Sequence, residues 1–187
     1  RFKLISSTDR DYASLQSGMI LGIQRRYAEA RTQFKSLVQD YPNTVYKAEG
    51  LYQWAQFELE QGNYQPAVDA LSQLIEKENN SPFVAYALSR RATAYFNLKQ
   101  YDKCAEDYQR VIKTYPNKPV AQEVLLPLQE VLTQLGKQEE FSSYLALVKQ
   151  SASDMKGFEQ LEFETAKKLY FDEKYDAAIS ALSNFKQ

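Results

Sequence analysis

The chain has 187 residues, of which 25% are charged and 44% apolar, a balance that excludes a disordered polar tail. Lysine plus arginine total 23 and aspartate plus glutamate 24, so no excess charge points to nucleic acid or an anionic membrane. Histidine is absent and cysteine occurs once, which removes the usual zinc and copper ligand sets, the commonest catalytic base and any internal disulfide.

The first residues carry no signal peptide, but the chain opens at Arg1, as a processed or excised piece does, so a leader that was lost is compatible with it. The charge-free stretch from Tyr12 to Gln24 is too short to span a bilayer and contains glycines. It opens a first helical face, and a second follows in which Tyr27, Ala30, Phe34 and Leu37 fall at spacings of three and four. Tyr41-Pro42-Asn43 ends it, because proline lacks an amide hydrogen and asparagine tolerates turn geometry.

The same order then recurs. Leu51 and Ala55 mark a helical face, Gln61-Gly62-Asn63 a turn, and Tyr64, Ala67, Leu71 and Leu74 a second face closed by Asn79-Asn80-Ser81-Pro82. Leu88, Ala92 and Tyr95 precede the turn Leu98-Lys99-Gln100, and Tyr101, Cys104, Tyr108 and Val111 precede Tyr115-Pro116-Asn117. Leu125, Leu128 and Leu132 lead through Leu135-Gly136-Lys137 to Gln138, Phe141, Leu145 and Val148. After Ser151-Ala152-Ser153-Asp154 come Ala166 and Leu169, the turn Asp172-Glu173-Lys174, and Tyr175, Ala178, Leu182 and Phe185. The small-residue slot stands at 30, 67, 104, 141 and 178, a constant step of 37. This predicts an all-α chain of about ten helices in five antiparallel pairs, with units at 11–47, 48–84, 85–121, 122–158 and 159–187 forming a single array over 1–187. The small residue allows two helix backbones to cross closely. The final unit stops in its second helix, so Leu182 and Phe185 are expected to lack a following neighbour. No stretch alternates with a period of two, so no strand is expected.

The fourth unit departs from the pattern. Phe141 occupies the small slot, Gln138 the tyrosine slot and Gln129 the small slot of the first helix, while Pro127 sits inside that helix. An interior proline removes a backbone bond and clashes with the preceding turn, so a kink is expected here.

These positions resemble the tetratricopeptide repeat, most fully in Leu51, Trp54, Ala55, Gly62, Tyr64, Ala67 and Leu71. The resemblance implies a right-handed superhelical array, an α-solenoid whose first helices line a concave surface. The two Tyr-Pro-Asn segments, each followed by an alanine-bearing helix, look like the subclass found in bacterial cell-envelope proteins, such as the outer-membrane assembly lipoprotein and the Tol-Pal coordinator. Asp11-Tyr12-Ala13, Gly22, Tyr27 and Phe141-Ser142-Ser143-Tyr144 are similar to long envelope-associated repeat proteins of Bacteroidetes. The resemblance therefore implies a non-catalytic protein-binding scaffold, periplasmic or outer-membrane associated, with a cytoplasmic location as the alternative. A second functional alternative is a structural segment of a longer array with no binding site of its own.

Mapped onto this chain, the family's groove positions are Glu49, Tyr52, Gln53, Gln56 and Glu60, then Tyr86, Ser89, Arg90, Thr93 and Asn97, then Glu123, Leu126, Glu130 and Gln134. Among these, Glu49, Tyr52, Gln56, Tyr86, Ser89, Arg90, Thr93 and Asn97 form the candidate peptide site, because tyrosine gives contact area at low entropic cost and amides bond to peptide backbone. The family's clamp for chaperone C-terminal carboxylates requires lysine and asparagine where this chain has Leu15, Met19, Tyr52, Gln56, Ser89 and Thr93, so that clamp does not carry over.

Other chemistry is weaker. The pairs Glu58 with Glu60 and Glu139 with Glu140 read as solvated helix faces, not metal ligands. Cys104 reads as a buried stand-in for alanine. Ser153-Asp154-Met155-Lys156 matches a serine-x-x-lysine string without its companion motifs, Asn79-Asn80-Ser81 reads as a turn, and the six glycines form no phosphate cradle. No enzyme, cofactor or metal site is expected. The expected partner is a protein or peptide, with no nucleic acid and no membrane insertion.

Overall fold

A computed structural model describes residues 7–152 and 157–185, and the described residues are helix and turn with no strand. The string at 153–156 lies outside them. The helices are α1 (Ser7–Ile23), α2 (Tyr27–Asp40), α3 (Lys47–Glu60), α4 (Tyr64–Lys77), α5 (Val84–Asn97), α6 (Tyr101–Thr114), α7 (Pro119–Glu123), α8 (Leu125–Gln134), α9 (Phe141–Ser151), α10 (Phe158–Phe171) and α11 (Tyr175–Phe185). The chain divides into two compact units, 1–98 and 99–187, with the division in the turn between α5 and α6.

The expected ten helices are present as positions, but one is broken. The first helix of the fourth repeat is split into α7 and α8 at Val124. Pro127 explains the location. Its nitrogen has no hydrogen to give to the carbonyl of Glu123, four residues back, and its ring crowds that carbonyl. Ladder bonds resume on either side, from Val124 N–H to Val120 O at 3.1 Å and from Leu128 N–H to Val124 O at 2.9 Å.

The next helix also deviates. Other second helices begin at the tyrosine slot, at Tyr27, Tyr64, Tyr101 and Tyr175, whereas α9 begins at Phe141 after a 3-10 turn over Gln138–Glu140. Phe141 is fully buried. A phenyl ring in the slot that elsewhere holds alanine or cysteine cannot sit at a close crossing, so the helix starts a turn later.

Each hairpin turn carries one left-handed residue, and these recur at the same step of 37: Arg25 (φ 61°), Gly62 (73°), Lys99 (59°), Gly136 (69°) and Glu173 (60°). The residue after it closes the helix by a bond to the carbonyl five back, as from Asn63 N–H to Glu58 O (2.8 Å), Lys137 N–H to Leu132 O (2.8 Å) and Lys174 N–H to Leu169 O (2.9 Å). This is the Schellman closure, which uses carbonyls that a helix end would otherwise leave bare. Glycine fills the position twice; the other three residues bear the steric cost of a Cβ there.

In the first unit Leu15, Ala30, Phe34 and Leu37 form a buried cluster, with Met19, Trp54 and Phe57 packed against it. Glycines let the helices approach. A Cβ on Gly22 would lie 2.1 Å from Phe57 Cζ, and one on Gly50 would lie 2.4 Å from Leu37 Cδ2. The small-slot and following large residues, Ala67 with Leu71 among them, are buried as the register predicts. In the second unit Cys104, Tyr108 and Val111 are buried on α6, and Ala166, Leu169, Ala178 and Ala181 pack together between α10 and α11. Leu182 is 40% exposed, unlike its buried register partners Phe34, Leu71, Tyr108 and Leu145.

Candidate functional site

α3 and α5 lie side by side in the first unit. Residues 49, 52, 53, 56 and 60 and their counterparts 86, 89, 90, 93 and 97 repeat one helical spacing on the two helices, so they fall on matching faces. Glu49, Tyr52, Gln53, Gln56, Tyr86, Ser89 and Thr93 are half-buried, while Glu60, Arg90 and Asn97 are exposed. None of the candidate residues is fully enclosed between helices.

The polar groups of this face are partly pre-arranged. The Tyr52 ring packs on Phe83 with centroids 5.3 Å apart, and Gln56 Nε2 donates to the Tyr52 hydroxyl at 3.3 Å. Along α5, Thr93 Oγ1 donates to the Ser89 carbonyl (3.1 Å) and Asn97 Nδ2 to the Thr93 carbonyl (2.8 Å). The Tyr52 ring is thus held by a neighbour while the residue stays partly accessible. Arg90 forms no ion pair with a described residue, so its guanidinium has donors to offer a partner. A surface with a braced aromatic ring, amides, one cation and the carboxylates of Glu49 and Glu60 can hold an extended segment.

Of the further groove positions, Glu123 on α7 and Leu126, Glu130 and Gln134 on α8 are all exposed, in the second unit.

The sequence reading of Glu58 as part of a solvated face is corrected. Its side chain is 1% exposed and accepts from four donor atoms. Arg31 gives Nε to Oε1 and Nη2 to Oε2, the latter at 2.6 Å; Trp54 Nε1 donates to Oε1 at 2.8 Å and Asn63 Nδ2 to Oε2 at 2.9 Å. Burial pushes this carboxyl up, but the hydrogen bonds from Arg31, Trp54 and Asn63 and the Arg31 charge outweigh it and hold the group below the usual carboxylate range. Glu60, by contrast, is exposed as expected. A signal for Glu58 existed: its register partners are Leu21, Tyr95, Leu132 and Leu169, so a carboxylate stands at a position otherwise apolar or aromatic. Trp54 and Glu58 become Arg91 and Tyr95 one repeat later, where the guanidinium lies 5.7 Å from the ring centre and bonds Ser72 at 2.8 Å. The network fastens α3 to α2 and to the turn before α4, behind the candidate face.

In the second unit, polar bridges cross between α8 and α10. Gln129 Nε2 donates to Thr165 Oγ1 (3.0 Å) and Lys168 Nζ to Thr133 Oγ1 (2.7 Å). Buried Glu162 accepts from Lys149 Nζ at 3.0 and 3.1 Å, which ties α10 to α9. Among the described residues no cluster of histidine, cysteine or acidic side chains suits a metal ion, and no helix is long and apolar enough to cross a membrane.

Family models described as tetratricopeptide repeat match residues 12–44, 49–81 and 85–118, together more than half of the chain. Among curated proteins, the chain is 27% identical over 163 residues to the Hsp70-Hsp90 organising protein of Plasmodium falciparum (isolate 3D7). The match covers 83% of this chain, which spans only 27% of that relative's length. Among solved structures, a tetratricopeptide repeat protein from Parabacteroides merdae ATCC 43184 is similar with a TM-score of 0.69 at 14% identity, over 94% of this chain and 65% of the other. A structure of MamA has a TM-score of 0.63 at 14% identity over 98% and 94% of the two chains. Pseudomonas aeruginosa pilF has a TM-score of 0.64 at 18% identity over 97% and 76%. At such identities these structures speak to fold alone. With three matched repeats, the 37-residue register and helix pairs closed by the same turn, the chain belongs to the tetratricopeptide-repeat family.

Proposed function

We propose that this chain is a non-catalytic scaffold that holds an extended segment of a partner protein across α3 and α5, with Tyr52, Tyr86 and Arg90 as anchors. Tetratricopeptide repeats generally mediate protein–protein interaction. The observation that carries the finer reading is the set of accessible, partly pre-arranged side chains on adjacent first helices. Rigid aromatic groups and arginine contribute a disproportionate share of interface energy. The curated relative is named for Hsp70 and Hsp90. For this chain a different partner is proposed, because Leu15, at one clamp position, is buried core, and the others lack lysine and asparagine.

The test is affinity capture from native cells with the parent and with a Tyr52→Ala, Tyr86→Ala, Arg90→Ala variant. The expected result is a partner retained by the parent and lost by the variant, with unfolding midpoints close together. Loss of each anchor should weaken binding by about 2 kcal/mol. A partner held equally by both would move the interface off this face. Periplasmic or outer-membrane association is proposed from the Tyr-Pro-Asn signature, and fractionation of native cells that placed the protein in the cytosol would refute it.

A further inference from the structure

A second binding feature lies in the other unit, where the broken helix leaves an apolar pocket. Gln122 at the end of α7, Leu125 and Leu126 at the start of α8, and Gly157, Phe158 and Leu161 at the start of α10 line a cavity of about 170 Å³. Its origin can be traced to particular residues. The bridges Gln129–Thr165 and Thr133–Lys168 hold α8 and α10 together further along both helices. Toward their N-terminal ends the break at Val124, required by Pro127, interrupts α7–α8, and the pocket opens there. Phe158 is buried, whereas Leu126 is 64% exposed.

The helices that line the pocket carry exposed carboxylates near it, and Lys118, just before α7, is the cation nearest to its lining residues along the described chain. Glu123 adjoins Gln122, Glu130 lies one turn beyond Leu126, and Glu159 adjoins Phe158. All three are exposed, and none forms an ion pair with a described residue. α7 and α8 contain no lysine or arginine, and α10 has none before Lys167. From this we infer that the pocket takes a single bulky apolar side chain of a partner segment in which lysine or arginine flanks that residue. The apolar group fills the cavity against Leu126 and Leu161, and the flanking cations meet Glu123, Glu130 and Glu159.

The test is an NMR titration of the protein with three synthetic peptides: Gly-Lys-Leu-Lys-Gly, Gly-Lys-Ser-Lys-Gly and Gly-Glu-Leu-Glu-Gly. The lysine–leucine peptide is expected to shift Leu125, Leu126 and Leu161 saturably. Replacing its leucine by serine should weaken binding about tenfold, the effect of losing one buried aliphatic side chain. The glutamate peptide should not bind. Leu126→Ser removes an exposed side chain and should leave the fold intact while lowering affinity for the leucine peptide about tenfold. A Glu123→Gln, Glu130→Gln variant should weaken it and flatten its salt dependence. Equal binding of the leucine and serine peptides, unchanged affinity in Leu126→Ser, or the absence of saturable shifts with any peptide would each overturn the assignment.

Discussion

Glu58→Gln replaces a buried carboxylate by an isosteric amide and tests whether the Arg31–Glu58 network holds the first unit together. The carboxylate offers two acceptor oxygens to four donor atoms. Glutamine keeps one oxygen and turns an NH2 group toward donors on the other. Two hydrogen bonds are lost, at least one of them charge-assisted, and those are worth about 1.5–3 kcal/mol each. Breaking a fully buried ion pair costs about 3–5 kcal/mol. Arg31 is 35% exposed, so water can take up its freed donors. That places the expected loss at the lower end, about 3 kcal/mol. Trp54 is the sole tryptophan and bonds Glu58 directly, so its fluorescence reports this hairpin while circular dichroism reports all helices. In urea the fluorescence transition should move to lower denaturant in the variant, ahead of the overall loss of helix, because repeat arrays unfold locally when one interface weakens. Coincident, unshifted transitions would refute the assigned role. The pH dependence has a definite sign. The folded carboxyl titrates below its unfolded value of about 4.3. Its stabilisation is therefore complete above that value and is lost as pH falls through the folded pKa, so the parent and Glu58→Gln should converge in acid and differ fully at neutral pH.

Gly22→Ala should destabilise the first unit by about 1–3 kcal/mol through overpacking, although alanine is the better helix former by about 1 kcal/mol. The new methyl would overlap the Phe57 ring at 2.1 Å, and that ring is flanked by Tyr27 and Phe34 with centroids 6.2 and 5.9 Å away; thermal melts give the sign. Lys99→Gly should have the opposite effect and stabilise by roughly 0.5–1 kcal/mol, since glycine adopts the left-handed turn at φ 59° without a Cβ clash but gives back part of that gain in the unfolded chain. A lower melting midpoint for Lys99→Gly would show that its side chain matters more than its backbone.

The repeat architecture was legible because it rests on spacing. Five small slots one step apart predicted which residues cross closely, and Ala30, Ala67, Cys104 and Ala178 are buried as expected. Pro127 signalled a break, but the break appears three residues earlier, at Val124, because a proline removes the bond to the fourth residue back. The left-handed turn position was visible at Gly62 and Gly136 but hidden at Arg25, Lys99 and Glu173, since those residue types do not advertise positive φ. Glu58 was misread because helical periodicity treats a carboxylate as an outward group. Only the meeting of Arg31, Trp54 and Asn63, brought together from two helices and a turn, makes burial affordable. The pocket beside Leu126 was illegible for a related reason: it depends on where α10 lies relative to α8, which no local pattern states.

The departures from the repeat fall into two classes, and the difference bears on function. Polar residues in core or seam positions, such as Glu58, Gln129, Thr165 and Glu162, are matched by partners within their own unit. They fix the packing of that unit and present nothing to a ligand. Tyr52, Arg90 and Leu126 stand on first helices at register positions where the side chain changes from repeat to repeat; their register partners are Ser89, Gln53 and Phe163. A scaffold built from equal units can distinguish partners only through side chains that vary and remain accessible. Tyr52 and Arg90 meet both conditions in the first unit, and Leu126 meets them in the second. The physical character of the two places differs, an aromatic and amide face with charges of both signs in one and an apolar pocket with carboxylates nearby in the other. Leu126→Ser should therefore spare binding of a segment held by Tyr52 and Arg90, and Tyr52→Ala or Arg90→Ala should spare binding of the lysine–leucine peptide.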